Sequence, residues 1–559
     1  MYRWGARISA LTLALCSTAV AQTVPPSVLP GREPELFATP PAPLSRPAGA
    51  FLQLPEVMAP ASAAQVRLRI KSVTIEGSTV YSAQDFVPLY ADLIGRDVSA
   101  ADVYGIANRV AAKYGQDGYL VARAVVVPQA VDAKGADIRI HVVEGYIEAV
   151  EWPAQAEHYR DLSAACLDKI KAERPARIKT IERCLLLAND LPGLTFSSTL
   201  RAGKDTNGGS VLVVTLTEKP VDVSARIDNR GAHGQGPWEQ TTTLSENNRL
   251  GIDESTTLTY AGALDLRELQ FFGGNYHQVL TGDGLAFDFN ATYSFGRPGL
   301  PSLTTIDFNS NSTSFESGFT YPLIRLREQN LRLSALGFAE DAASNSLGLP
   351  FSDDRLRGIR LRANYDQVDT WLGTVGQSQL IATFSQGIDG LGSTSNSNPL
   401  ASVANARVDF SKIGVNASRT QALGAGFSLY GALTGQWAES ALLSAEQCTY
   451  GGRQFGRAFD PDTLVGDRCV EELGELRYDL QIPGNPLSQT ELYAFADHGD
   501  LTRLDPAAST PAHSAGSSAG AGLRLAWKDN LSADVQVARA FDDTTDNDWR
   551  GFFVLTAHY

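Results

Sequence analysis

Residues 446–467 read Glu446-Gln447-Cys448-Thr449-Tyr450-Gly451-Gly452-Arg453-Gln454-Phe455-Gly456-Arg457-Ala458-Phe459-Asp460-Pro461-Asp462-Thr463-Leu464-Val465-Gly466-Asp467. Clustered glycines and the lack of any apolar rhythm make this a long loop, with Arg457 at its tip. Its surroundings are the reverse: from about residue 221 to the end, polar and apolar residues alternate at period two. Leu476, Tyr478, Leu480 and Ile482 oppose Arg477, Asp479 and Gln481, and Ile359, Leu361, Ala363 and Tyr365 oppose Arg360, Arg362 and Asn364. One-sided strands also suit a soluble sandwich. Such a length of them, with polar Gly/Ser/Asn loops and almost no helical signal, fits a transmembrane antiparallel β-barrel better, because lipid-facing and lumen-facing side chains alternate there.

At about 21 residues per strand with its share of loop, this region accommodates roughly sixteen strands. A barrel that wide holds an aqueous lumen unless something plugs it. The last residues, Phe553, Leu555, Ala557 and Tyr559, keep the period of two and suit a closing strand. If the loop enters the lumen, Arg457 needs a buried carboxylate. The run Tyr493-Ala494-Phe495-Ala496-Asp497 offers one. Leu492, Ala494 and Ala496 form its lipid-type face, so Tyr493, Phe495 and Asp497 point inward. An Asp497 facing lipid would cost on the order of a few kcal/mol.

The other end of the chain announces export. Arg3 and Arg7 precede a short apolar run, and Ala19-Val20-Ala21 is a small-residue cleavage site, so 1–21 reads as a signal peptide. Cys16 invites a lipoprotein reading, against which Leu15 is too bulky for the preceding position. Residues 22–64 carry ten of the 27 prolines and predict an extended linker with no packed fold. No other stretch is long and apolar enough for a membrane helix. The formal charge of −15, with 62 acids against 47 bases, excludes a nucleic-acid binder. Four cysteines remain after cleavage, in two local pairs, Cys166 with Cys184 and Cys448 with Cys469. Each pair can close a disulfide in an oxidising compartment, the alternative being free thiols.

Between linker and barrel the periods mix. Over 65–149 the order is β-α-α-β-β, with a helical stripe of Val103, Ile106, Val110 and Tyr114 opened by the Ser99/Asp102 capping pattern. A second pass over 150–219 has helices at 159–171 and 179–189 and a last strand at 211–217. Two small α+β modules, or one α+β domain spanning both, precede a barrel over 220–559 with its long loop at 446–470.

This layout resembles the two-partner secretion outer-membrane transporters, the haemolysin-activator (TpsB-like, ShlB/FhaC/HecB) family. Four local patterns carry the likeness in order: Val221-Asp222 … Asp228-Asn229-Arg230-Gly231; Tyr321-Pro322-Leu323 … Arg325; Phe384-Ser385-Gln386-Gly387-Ile388-Asp389 … Leu391-Gly392; and the 446–467 loop. The resemblance implies that the modules are polypeptide-transport-associated (POTRA) modules in the periplasm. It also implies that the loop-tip motif Gly456, Arg457, Ala458 and Phe459 meets the wall motif Phe495 and Asp497, with an Arg457–Asp497 ion pair. Ala458 stands where the family has glycine, which is costly if that site needs a positive φ. The family's N-terminal plug helix finds no room for twenty residues here, so the plug is short, or is proline-rich chain, or is the loop alone.

The implied function is export of one large adhesin- or haemolysin-like exoprotein, with outer-membrane lipids and the barrel-assembly machinery as further partners. The alternative is a barrel-assembly factor of the same superfamily. An enzyme is not expected: the seven histidines are scattered, and neither a metal site nor a nucleophile elbow has its spacing. Gly203-Lys204-Asp205 lacks the spacing of a phosphate loop, so no nucleotide cofactor is expected either.

Overall fold

In the computed structural model the alternating region closes on itself as a sixteen-stranded antiparallel barrel. The structure describes residues 24–37, 44 and 59–559, apart from 120, 131, 133–134, 206, 483–485, 505–510, 529 and 542–548. The expected signal peptide lies outside the described residues, as does most of the linker. The barrel runs in sequence order from Val221–Asp228 to Trp549–His558, and these two strands pair to close it, Leu555 opposite Ile227. Strand Leu349–Asp369 shows the alternation plainly. Ile359 and Leu361 are about half exposed on the outer face, while Ser352, Asp354, Asn364 and Asp366 are buried inside. Tight connections use paired positive-φ residues, Leu347-Gly348 and Ala425-Gly426, whose twist matches that of the strands they join.

Ahead of the barrel stand two α+β units, each with its own core. The first has the sheet order Asp97–Ser99, Arg67–Glu76, Ala136–Val143, Arg123–Val126. Helix Ala100–Gln116 covers it with Val103, Ile106, Val110 and Tyr114, all at most 3% exposed. That stripe is therefore core and offers no groove. The first helix of the expected β-α-α-β-β order is one short turn, Ala83–Phe86, followed by 3-10 turns, because Pro88 interrupts the ladder of amide donors. The second unit packs helices Arg160–Ala172 and Ile178–Asn189 on the sheet Tyr146–Glu151, Gly209–Glu218, Leu194–Ala202. A Cys166–Cys184 disulfide staples its two helices, with Cα atoms 5.7 Å apart.

The proline-rich stretch corrects an expectation. Residues 24–37 do pack: a 3-10 turn at Pro26–Val28 lies against the 297–308 connection, and a five-residue helix at Glu33–Phe37 places Phe37 against the barrel wall. Val28 sits with Leu303 and Phe308 of the 297–308 connection, and the Phe37 ring lies 5.2 Å from Phe271 of the wall at a tilt of 40°. Such a segment cannot build a core of its own, but here it borrows one from the wall. Pro34 sits in the first helical turn, where no amide donor is needed.

Ser99 caps helix Ala100–Gln116 from both sides: its hydroxyl accepts from the Asp102 amide, and its amide and hydroxyl donate to the Asp102 carboxylate. Those bonds hold the Asp102 carboxyl below its ordinary range. Its contribution is thus complete at neutral pH and is lost as the pH falls through the acid range below about 4. Ser99→Ala is expected to cost about 1 kcal/mol, seen as about fivefold faster amide exchange along this helix in the full chain.

Candidate functional site

The turns on the module side of the barrel, such as 280–285, abut the second unit, so the 439–467 connection belongs to the opposite, outward end. It does not stay there. After the 3-10 turn Ser444–Glu446 the chain dips into the lumen as a small hairpin, Cys448–Tyr450 against Leu464–Gly466. A disulfide from Cys448 to Cys469 ties its stem to the wall, Cα atoms 6.4 Å apart.

A loop that carries charge into a closed lumen must find partners there, and it does so on all sides. Glu446 is buried and receives Arg360 and Lys412, each at 2.6 Å. Arg453 donates to Asp228 at 2.9 Å and to Glu239, both buried, on two neighbouring strands. Asp460 takes Arg550 and, at 2.7 Å, His233. Asp467 accepts the Leu442 and Leu504 amides. The 446–467 loop is thereby fastened to strands around most of the circumference.

The tip differs from expectation. Arg457 does not pair with Asp497 through its side chain. Its guanidinium reaches Glu475 at 2.6 Å and lies 4.7 Å over the Phe495 ring. Asp497 instead takes neutral donors: the Tyr450 hydroxyl at 2.6 Å, the Ser518 hydroxyl at 2.7 Å and the Gly456 amide at 3.1 Å, with the Arg457 amide at 3.4 Å. Length explains the change. Asp497 grips the backbone at the tip, so the long arginine side chain overshoots it to the adjacent strand. There Glu475 faces Phe495, one inward position from the Leu473–Asp497 pair. Glu475 also receives Arg477 at 2.6 Å and Arg524 at 2.8 Å, so three guanidiniums converge on one fully buried carboxylate. Alternation already placed Glu475 on Arg477's inward face; the available signal was a second inward acid beside the wall motif.

Ala458 carries no strain. The left-handed position falls on Gly456, at φ 63°, and Ala458 has no positive φ. A Cβ on Gly456 would stand 2.7 Å from the Gly451 amide. The wall makes room in turn: a Cβ at Gly499 would lie 2.4 Å from the Tyr450 ring.

Two further pieces complete the plug. The N-terminal segment joins the loop where Arg32 donates to the Ser444 carbonyl at 2.8 Å and to Gln447 at 3.2 Å, and Arg453 donates to the Leu36 carbonyl at 3.3 Å. A second outward connection, 388–410, folds onto Leu442 and Leu443 through Val408 and Phe410. The quoted sequence patterns fall into place within this frame. Asp228 binds Arg453, the Arg230 guanidinium donates to Gln536 at 2.7 Å, and Gln386 accepts from Ser411 at 2.6 Å.

A closed sixteen-stranded barrel with a plugged polar lumen and α+β units on one side is the architecture of an outer-membrane protein-secretion pore. The family model described as haemolysin secretion/activation protein ShlB/FhaC/HecB matches residues 208–523, and that of the ShlB-type POTRA domain matches 68–145. The chain belongs to the ShlB/FhaC/HecB family, the two-partner secretion transporters of the outer membrane. The heme/hemopexin transporter protein HuxB of Haemophilus influenzae (strain 86-028NP) is 21% identical over 475 residues, 81% of this chain and 80% of its own. The outer membrane transporter CdiB of Escherichia coli O6:K15:H31 (strain 536 / UPEC) is 24% identical over 507 residues, 83% and 80% of the two chains. The solved CdiB from Escherichia coli superposes with a TM-score of 0.66 at 17% identity, covering 93% of this chain and 94% of that one, which shows the shared fold.

Glu475→Gln removes the charge shared by buried Arg457 and half-buried Arg477 and Arg524, of which Arg524 keeps Glu491 at 2.7 Å, and is expected to destabilise the folded barrel by about 3–5 kcal/mol. Asp497→Asn, which keeps an acceptor for neutral donors, should cost about 1–3 kcal/mol. Denaturant midpoints in micelles report the order, and the reverse order would return the tip arginine to Asp497. Gly499→Val is expected to push Tyr450 off the wall and expose 446–467 to added protease, with the barrel still closed.

Proposed function

We propose that the two α+β units capture one large exoprotein, adhesin- or haemolysin-like, in the periplasm, and that the barrel passes it outward unfolded. The observation that carries this reading is the nature of the plug. Residues 24–37 and 446–467 lie outside the barrel's strand pairing and fill the lumen largely through side-chain contacts, with the loop's stem tied to the wall by the Cys448–Cys469 disulfide. The N-terminal segment and the loop beyond that tie can leave the lumen without opening the barrel, and an extended chain can replace them.

Capture by strand addition suits these units. In the second one, Leu194–Ala202 is an edge strand of nine residues with no partner strand on its outer side among the described strands; the Asn189 side chain holds the Phe196 amide and carbonyl, and the stretch beyond it is open to a partner. An extended segment of the partner finds free amides and carbonyls there. The first unit's corresponding edges, Asp97–Ser99 and Arg123–Val126, are shorter. Folding of the exported protein outside then biases the direction of transit. The barrel itself reaches its lipid surroundings through the barrel-assembly machinery.

Arg457 with Glu475, and Asp497 with the tip backbone, hold the closed arrangement in this reading. Deleting the gene is expected to abolish export of one large protein, with other outer-membrane barrels at normal levels. Arg457→Ala should lower that export by about tenfold or more, as loss of a buried pair disorders the loop. Export assayed in the medium and on the cell surface decides. General loss of other barrels on deletion, with every large exoprotein exported as before, would assign the chain to barrel assembly.

A further inference from the structure

Helix Ile178–Asn189 ends on Asp190, whose amide closes the last turn on the Leu186 and Leu187 carbonyls. A carboxylate there meets the negative end of the helix dipole, a place that favours a base. The barrel supplies that base. Arg325, at the module-side end of strand Asn309–Arg325, donates through Nε and Nη2 to the two oxygens of Asp190, both at 2.7 Å. Its third nitrogen donates to Asn330 at 2.9 Å, and Asn330 donates to Asp366 at 3.0 Å. The Arg325 side chain is only 5% exposed. Without Asp190 it would be a desolvated guanidinium facing one amide oxygen.

The remaining contacts between the second unit and the barrel are close packing together with single hydrogen bonds, such as that from Arg183 to the Pro322 carbonyl at 3.4 Å. Val279 joins the unit's core. A Cβ on Gly282 would fall 1.9 Å from the Leu162 carbonyl oxygen, and one on Gly284 would fall 2.8 Å from Leu187. Asn248 donates to the Tyr159 hydroxyl. Both helices of the unit thus lean on successive barrel turns, and the Cys166–Cys184 disulfide keeps those helices in step. Apolar surfaces in contact tolerate sliding, whereas a planar two-point ion pair fixes an angle.

We propose that Asp190 and Arg325 are a positioning pair that seats the second unit at the mouth of the lumen, so that a captured chain is handed into the barrel. The pair acts on delivery and leaves capture untouched. Its role in delivery rests on the secretion reading above; its role in seating does not.

Two readouts test it in the full chain. Nitroxide labels at Lys204→Cys and Thr370→Cys, with the native disulfides intact, report the distance between unit and barrel. The parent protein should give one narrow distribution. Asp190→Asn, which is isosteric and leaves both cores untouched, should broaden it, and the exchange Asp190→Arg with Arg325→Asp should narrow it again. In cells, Asp190→Asn should lower export about tenfold, with the affinity of purified chain for the exoprotein's N-terminal fragment changed less than about twofold. An unchanged distance distribution in Asp190→Asn overturns the proposal, as does a loss of binding in step with export. Should the parent chain export nothing, the secretion reading fails and the distance measurement alone decides the seating.

Discussion

A lumen enclosed by sixteen strands can hold water or protein, and the carboxylates buried on this wall select protein. Glu475 is the clearest case. Three guanidiniums meet on it, and one of them is delivered by the loop from outside the wall. Glu239 and Asp228 together await Arg453, and Glu446 carries the loop's own negative charge back to Arg360 and Lys412. The charge exchange runs in both directions, so neither loop nor wall is neutralised without the other. Such pairs add little net stability over an apolar filling. What they give is specificity: one seat for the loop, and a filling that remains compatible with water once it is withdrawn. An apolar plug would have left an apolar pore.

The same logic orders the rest of the molecule. The N-terminal segment is too short and too proline-rich to fold alone, yet it closes the outward end by resting on Ser444 and Gln447 of the loop's base. Loop and N-terminal segment therefore form one plug with two strands of chain. At the other end, the second α+β unit rests on three module-side turns, fixed by Asp190 and Arg325. The outward end is closed by elements that can move aside; the inward end is framed by an element that is stapled and seated.

The barrel was legible because period two is a property of local sequence and needs no partner to be seen. Leu492, Ala494 and Ala496 against Tyr493, Phe495 and Asp497 placed the wall motif on the correct face. The cap at Ser99 and Asp102 was legible for the same reason, since a span of four residues suffices to define it. The Arg457 partner was not, because choosing between Asp497 and Glu475 requires the register between two strands and the reach of a side chain, neither of which is local. The buried N-terminal segment stood only as one of three alternatives for the plug, for a related cause. Its core belongs to the wall, and proline content speaks only of what a segment can do alone. The role of Arg325 lay within a quoted sequence pattern, but its partner is 135 residues away in another unit.

The central claim is that the lumen is closed by a loop held through buried charge pairs and can be opened without unfolding the wall. Single-channel current through the purified chain in planar bilayers tests it most directly, comparing the parent with a variant carrying Glu446→Gln, Arg453→Gln and Arg457→Gln. The account predicts small, brief conductances for the parent and a large, sustained one for the variant, with both barrels still folded in sample buffer at room temperature. Equal conductance in the two, with the variant's loop displaced from the lumen by protease mapping, would contradict it.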